Sequence, residues 1–130
     1  MKLRFLVLAI VCLLYLALPS AAHHSHGNYD LTKWVPYQGT VKEVHWIVPH
    51  SWIYLEIKDD KGKATVWALE AGDPGTIQRQ GVKREDVKPG DTIKVRCHGL
   101  RDGSNGCLLG FVTPLHGDGA RGHGIEKEWD

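Results

Sequence analysis

Histidine is the residue type most able to do chemistry here. Eight occur in 130 positions, and none lies in the first 22. Imidazole is the commonest side-chain ligand for Cu²⁺, Ni²⁺ and Zn²⁺. His23, His24 and His26 stand almost together. If a leader ends at Ala22, His23 carries a free α-amine and an imidazole on one residue, a bidentate chelate to which His24 or His26 adds a third nitrogen. A cut one residue earlier makes His24 third in the chain, where amine, two backbone nitrogens and imidazole encircle Cu²⁺ in a square plane. Either frame favours copper or nickel; the plainer alternative is a His-rich arm that picks up metals adventitiously. His45 and His50 flank the first strand connection, and His98 ends a later strand. His116 and His123 read as tail residues.

Aromatic rings offer a second chemistry. Trp52 and Tyr54 alternate out of phase with apolar Ile53, Leu55 and Ile57, and Trp46 and Trp67 lie on the flanking runs. Exposed rings on a sheet face stack sugars or planar ligands; rings that merely close the core are the alternative. Glu70 is the lone carboxylate of its run and reads as a hydrogen-bond partner for a backbone amine or an arginine rather than as a catalyst. Catalysis finds little support: there is no Gly-x-Ser-x-Gly, no His-Glu-x-x-His and no phosphate loop.

Charge and topology narrow the partners. Lys2 and Arg4, the apolar run Phe5 to Leu18, and Pro19-Ser20-Ala21-Ala22 form a secretory signal peptide, residues 1–22. A membrane anchor is the alternative, but the run is shorter than the roughly 20 residues that span a bilayer. Cleavage predicts a periplasmic or secreted protein with no membrane span. It removes two of the 16 basic residues and none of the 15 acidic ones, leaving one net negative charge with His neutral. There is no basic field for nucleic acid. Cys97 and Cys107 read as a disulfide in an oxidising compartment; a thiolate metal site or a plain buried thiol remain alternatives.

These residues need a scaffold, and the sequence predicts one. Residues 23–36 read as a mobile His-rich arm, stapled by Leu31, Trp34 and Val35. From Tyr37 to Glu70 run three strands. The middle one has strict period-2 alternation. The first, Gln38 to Ile47, puts Val41 and Val44 out of phase, which a bulge near Lys42-Glu43 reconciles. Asp59-Asp60-Lys61-Gly62 makes an antiparallel turn into Ala64 to Leu69. Asp73-Pro74 opens a short helix that Gly81 ends, anchored by Ile77. Lys88-Pro89-Gly90-Asp91 launches a fourth strand, Thr92 to His98, and Cys107 to Thr113 is the fifth. The glycine-rich residues 115–130 read as a flexible tail.

Three strands, a helix and two strands is the order of the OB-fold, an all-β five-stranded Greek-key barrel with one short helix between strands 3 and 4. The domain is expected over residues 37–114; a small sandwich is the competing architecture. In such a barrel the connections after strands 1 and 4 share a pole, so His50 and His98 are expected near each other.

The chain also resembles a family of small secreted bacterial proteins of unknown function. The likeness is carried by His23-His24-Ser25, Gly39-Thr40-Val41, Pro49-His50-Ser51-Trp52, Trp67-Ala68-Leu69-Glu70, Lys88-Pro89-Gly90-Asp91 and Asp102-Gly103-Ser104-Asn105. The resemblance implies an exported β-barrel and no established activity. Val48 stands where that family more often has Asn, and the cysteine pair and the tail look like additions.

The expectation is therefore an exported, non-enzymatic domain that binds a small ligand. A transition metal (Cu²⁺, Ni²⁺ or Zn²⁺) held by His23, His24, His26, His45, His50 and His98 comes first. A glycan or planar ligand on Trp46, Trp52, Tyr54, Trp67 and Glu70 is the alternative, and an envelope scaffold that docks a protein partner is a third.

Overall fold

Alternation of apolar and polar residues turns into a closed β-barrel because each strand has only one face to bury. A computed structural model describes residues 26–130; the expected signal segment, His23 and His24 lie outside the described residues. The strands are β1 (Val35–His45), β2 (Trp52–Lys58), β3 (Ala64–Glu70), β4 (Thr92–Gly99), β5 (Gly106–Pro114) and β6 (Lys127–Glu128), with helix α1 (Pro74–Arg79) between β3 and β4. The ladder runs β3-β2-β1-β4-β5-β6, and an added parallel pairing of β3 with β5 closes it. This is the OB-like barrel, with its helix where the sequence puts it.

β1 serves two neighbours. Its first half, Val35 to Thr40, pairs with β4, and its second half, Thr40 to His45, with β2. The register slips between Val41 and Glu43, so Lys42 is the bulge that the broken phase demands. Gly39 lets the strands coil tightly, since a Cβ there would meet the Glu56 carbonyl oxygen at 2.2 Å. Ile53, Leu55 and Leu69 are fully buried inside, joined by Ile93, Val95 and Leu109 from the other strands.

Local chemistry sets the connections. Asp59 Oδ1 accepts from the Lys61 and Lys63 amides, closing the β2–β3 turn. Asp73 caps α1 by accepting from the Gly75 and Thr76 amides with Pro74 in the first turn, and Ile77 plugs the core. Cys97 and Cys107 form a disulfide across β4 and β5, so the thiolate-site alternative falls away. The bond closes the 99–106 connection.

Two expectations are corrected. Residues 115–130 are packed rather than flexible. β3 and β5 share only three residue pairs, Ala68–Gly106 to Glu70–Leu108, and β6 then takes up the exposed edge of β5 at Phe111 and Val112. Trp129 donates its amide to the Gly110 carbonyl, accepts from the Gly72 amide, and buries its ring in the core 5.1 Å from Trp46. Lys127 reaches the buried carboxylate of Asp86 at 2.8 Å, and Arg121 pairs with Asp91. One tryptophan and two ion pairs outweigh the glycine-rich composition.

The described part of the arm, residues 26–36, is docked as well. Tyr29 is buried and bridges to Leu100, whereas Leu31 is half exposed. Trp34 covers Gly110 of β5, where an added Cβ would run into the indole.

Trp129→Ala is expected to destabilise the protein by about 3–5 kcal/mol, measured by urea denaturation; a flexible tail would give no change. Replacing Cys97 and Cys107 together by serine is expected to lower stability by about 2–3 kcal/mol in the same assay.

Candidate functional site

The β1–β2 connection carries Pro49-His50-Ser51 past the end of β3, and backbone bonds fix it there. Ser51 donates its amide to the Gly72 carbonyl, and Ala71 donates to the Ser51 carbonyl. This clip sets the His50 ring against the chain that leaves β3. Its Nδ1 lies 3.2 Å from the Ala71 carbonyl oxygen and 3.5 Å from Glu70 Oε1. A carbonyl oxygen only accepts, so the tautomer that fits this contact carries its proton on Nδ1. That tautomer is the one a ligating histidine adopts when its other nitrogen is held by a carboxylate or carbonyl.

Glu70 is held from a second side. Tyr29 donates its hydroxyl to Glu70 Oε2 at 2.5 Å. Burial of the phenol, followed by the hydrogen bond and the charge of Glu70, pushes its pKa well above the ordinary tyrosine value. Glu70 thus partners a phenol and an imidazole, not the amine or arginine that its lone position suggests. Beside it Ser51 is buried with no hydrogen-bond partner for its Oγ among the described residues.

A cleft of about 470 Å³ opens in front of His50. His26 stands on its wall with Val48, Pro49, Gly72, Thr76 and the acidic residues Asp73 and Asp130. The 26–30 segment is brought there by the 99–106 connection. Asp30 donates its amide to the Gly99 carbonyl, the Arg101 amide donates to the Asn28 carbonyl, and Arg101 Nε is shared between the carbonyls of Gly27 and Tyr29, 3.1 Å from each.

The model of a family of unknown function, DUF6152, matches residues 9–109 of the chain. The chain belongs to that family. No curated protein and no solved structure matches it. In this DUF6152 member the site therefore has to be read from its own geometry.

Of the expected ligands, His26 and His50 share the cleft and the others in the described region stand elsewhere. His45 bonds Glu43 at 2.7 Å and packs on Tyr54 at the outer face of β1 and β2. His98 bonds the Lys33 carbonyl through Nδ1 at 2.6 Å and stacks on Trp34 at 3.8 Å. His50 and His98 are thus committed to different partners, because the docked arm occupies His98. Among the described residues no three His, Cys, Asp or Glu side chains are arranged to hold a metal ion. His116 bonds the Asp86 carbonyl and His123 accepts from the Gly117 amide, both within the packed C-terminal segment.

The aromatic set divides. Trp46 packs on Trp129 and under Arg84, and Trp67 lies against Tyr37 and the core. Both close the barrel. Trp52 and Tyr54 remain on the outer face of β2, opposite Glu70 and Ala68 of β3. Tyr29 and Arg101 were not singled out from the sequence. Neither carries a local signal, since their partners lie 41 and more than 70 positions away. No helix among the described residues is long and apolar enough to cross a membrane.

The fold favours the neutral phenol of Tyr29, so its stabilisation is present below the ordinary tyrosine pKa of 10.0 and is lost as pH rises beyond it. Alkaline unfolding followed by circular dichroism is expected to show this loss in the wild type and a weaker one in Tyr29→Phe.

Proposed function

We propose that this DUF6152 member is an exported binding protein, not an enzyme, that takes a transition-metal ion at the cleft between His26 and His50. The observation that carries the reading is that both imidazoles line one cleft, one of them oriented through Nδ1. The carboxylates of Asp73 and Asp130 on the same walls favour a cation over an anion. His23 and His24 lie three and two residues ahead of His26. They are the residues that would complete a coordination sphere, with the α-amine of the processed chain. Nitrogen-rich ligation of this kind suits Cu²⁺ or Ni²⁺ above Zn²⁺.

Calorimetric titration of the signal-processed protein with Cu²⁺, Ni²⁺ and Zn²⁺ tests the reading. One tight equivalent of Cu²⁺ or Ni²⁺ is expected. His50→Ala and removal of residues 23–26 are each expected to weaken it by about tenfold or more, which is about 1.4 kcal/mol or more. Unchanged affinity in both variants would overturn it.

A second reading rests on Trp52 and Tyr54, which face outward side by side on β2. They would stack a glycan or a planar ligand. Tryptophan fluorescence that responds to oligosaccharides in the presence of chelator, and that Trp52→Ala silences, would favour it over the metal.

A further inference from the structure

We infer that Tyr29 and Arg101 are the positioning residues of the His26–His50 cleft, so that docking of one short segment assembles both of its walls. The inference rests on the metal-binding reading for its ligand, and on hydrogen bonds among described residues for its geometry.

Residues 26–30 do two things at once. They place His26 on the cleft wall, and three residues later they supply the Tyr29 hydroxyl to Glu70 Oε2. Glu70 Oε1 in turn lies 3.5 Å from His50 Nδ1, beside the Ala71 carbonyl that this nitrogen bonds at 3.2 Å. A carboxylate with one oxygen tied to a phenol has its plane set, and the oxygen left for His50 is set with it. Both Glu70 and His50 are about four-fifths buried in their side chains, so each polar bond is worth more than at the surface and costs more to leave unmade. The orientation of His50 is thus tied to the segment that carries the other imidazole.

Arg101 holds that segment in place. Its backbone amide binds Asn28 and its Nε is divided between Gly27 and Tyr29, three consecutive carbonyls gripped by one residue. The 26–28 turn is a single 3₁₀ turn with no buried residue of its own, and an isolated turn of that length has no intrinsic stability. The grip from the 99–106 connection, itself closed by the Cys97–Cys107 bond, supplies what the turn lacks.

Double-mutant cycles on the full signal-processed protein test this. Arg101→Gln and Tyr29→Phe are each expected to weaken Cu²⁺ binding by roughly 10–100-fold and to alter the copper paramagnetic resonance spectrum. Arg101→Gln is expected to add nothing in a His26→Ala background, and Tyr29→Phe nothing in a His50→Ala background. Full additivity, or wild-type affinity in both single variants, would overturn the assignment. A wild-type protein that binds no metal would sink the metal reading alone. The positioning roles would then be read without metal. Arg101→Gln is expected to speed hydrogen exchange at the Tyr29 and Asp30 amides. Tyr29→Phe is expected to shift the Nδ1 resonance of His50 in ¹⁵N spectra, because it releases the Glu70 carboxylate that stands 3.5 Å from that nitrogen. Unchanged exchange together with an unchanged Nδ1 resonance would overturn the roles.

Discussion

A barrel that closes by only three residue pairs leaves work for its termini. β3 and β5 run parallel and meet only from Ala68–Gly106 to Glu70–Leu108. Beyond that contact the β5 edge would face solvent with unpaired amides and carbonyls, a surface that natural sheets cover. β6 covers it, and Trp129 fills the space behind. At the other flank the 26–30 segment bridges to the end of β4 at Leu100. Both ends of the described chain are thereby led to the place where β3 stops. His26 and Asp130 consequently stand on one cleft, 104 positions apart in sequence.

The polar contacts differ in what they do. Arg96 makes a bidentate pair with Glu126 and lies 4.1 Å over the Phe111 ring, and its hydrogen bonds, with its charge behind them, hold the Glu126 carboxyl below its usual range. That pair is exposed to water, where such bonds contribute little to stability. The Tyr29–Glu70–His50 chain is different. It sits at the barrel mouth, largely hidden from solvent, and each member is a partner the next requires. Lys127 and Asp86 form the corresponding contact for the C-terminal segment, with Asp86 almost fully buried. Polar groups are buried where the termini dock, and the docking is specific because they must find each other.

The cleft is a property of connections, not of the strands that hold them. Its walls come from the β1–β2 connection, the turn into α1, and the two terminal segments. The barrel contributes rigidity, and binding residues are carried on segments that can vary without disturbing it.

Much of the architecture was legible in order along the chain. Period-2 alternation identifies β2, the broken phase of Val41 and Val44 identifies the bulge at Lys42, and Asp73-Pro74 identifies the start of α1, because each depends on neighbours within a few positions. The histidines and the cysteine pair were visible as chemistry, and the disulfide followed from their number. What composition misjudged were the ends. A glycine-rich stretch looks unable to pack, and only the unpaired edge of β5 makes a place for Lys127, Glu128 and Trp129. The site was half legible. His26 and His50 could be named, but that they share a cleft while His45 and His98 do not depends on which carbonyl or carboxylate each ring meets in space. Tyr29 and Arg101 left no trace in local pattern. Their roles come from partners brought together by barrel closure, and a pairing across the fold is set by the tertiary structure, not by spacing.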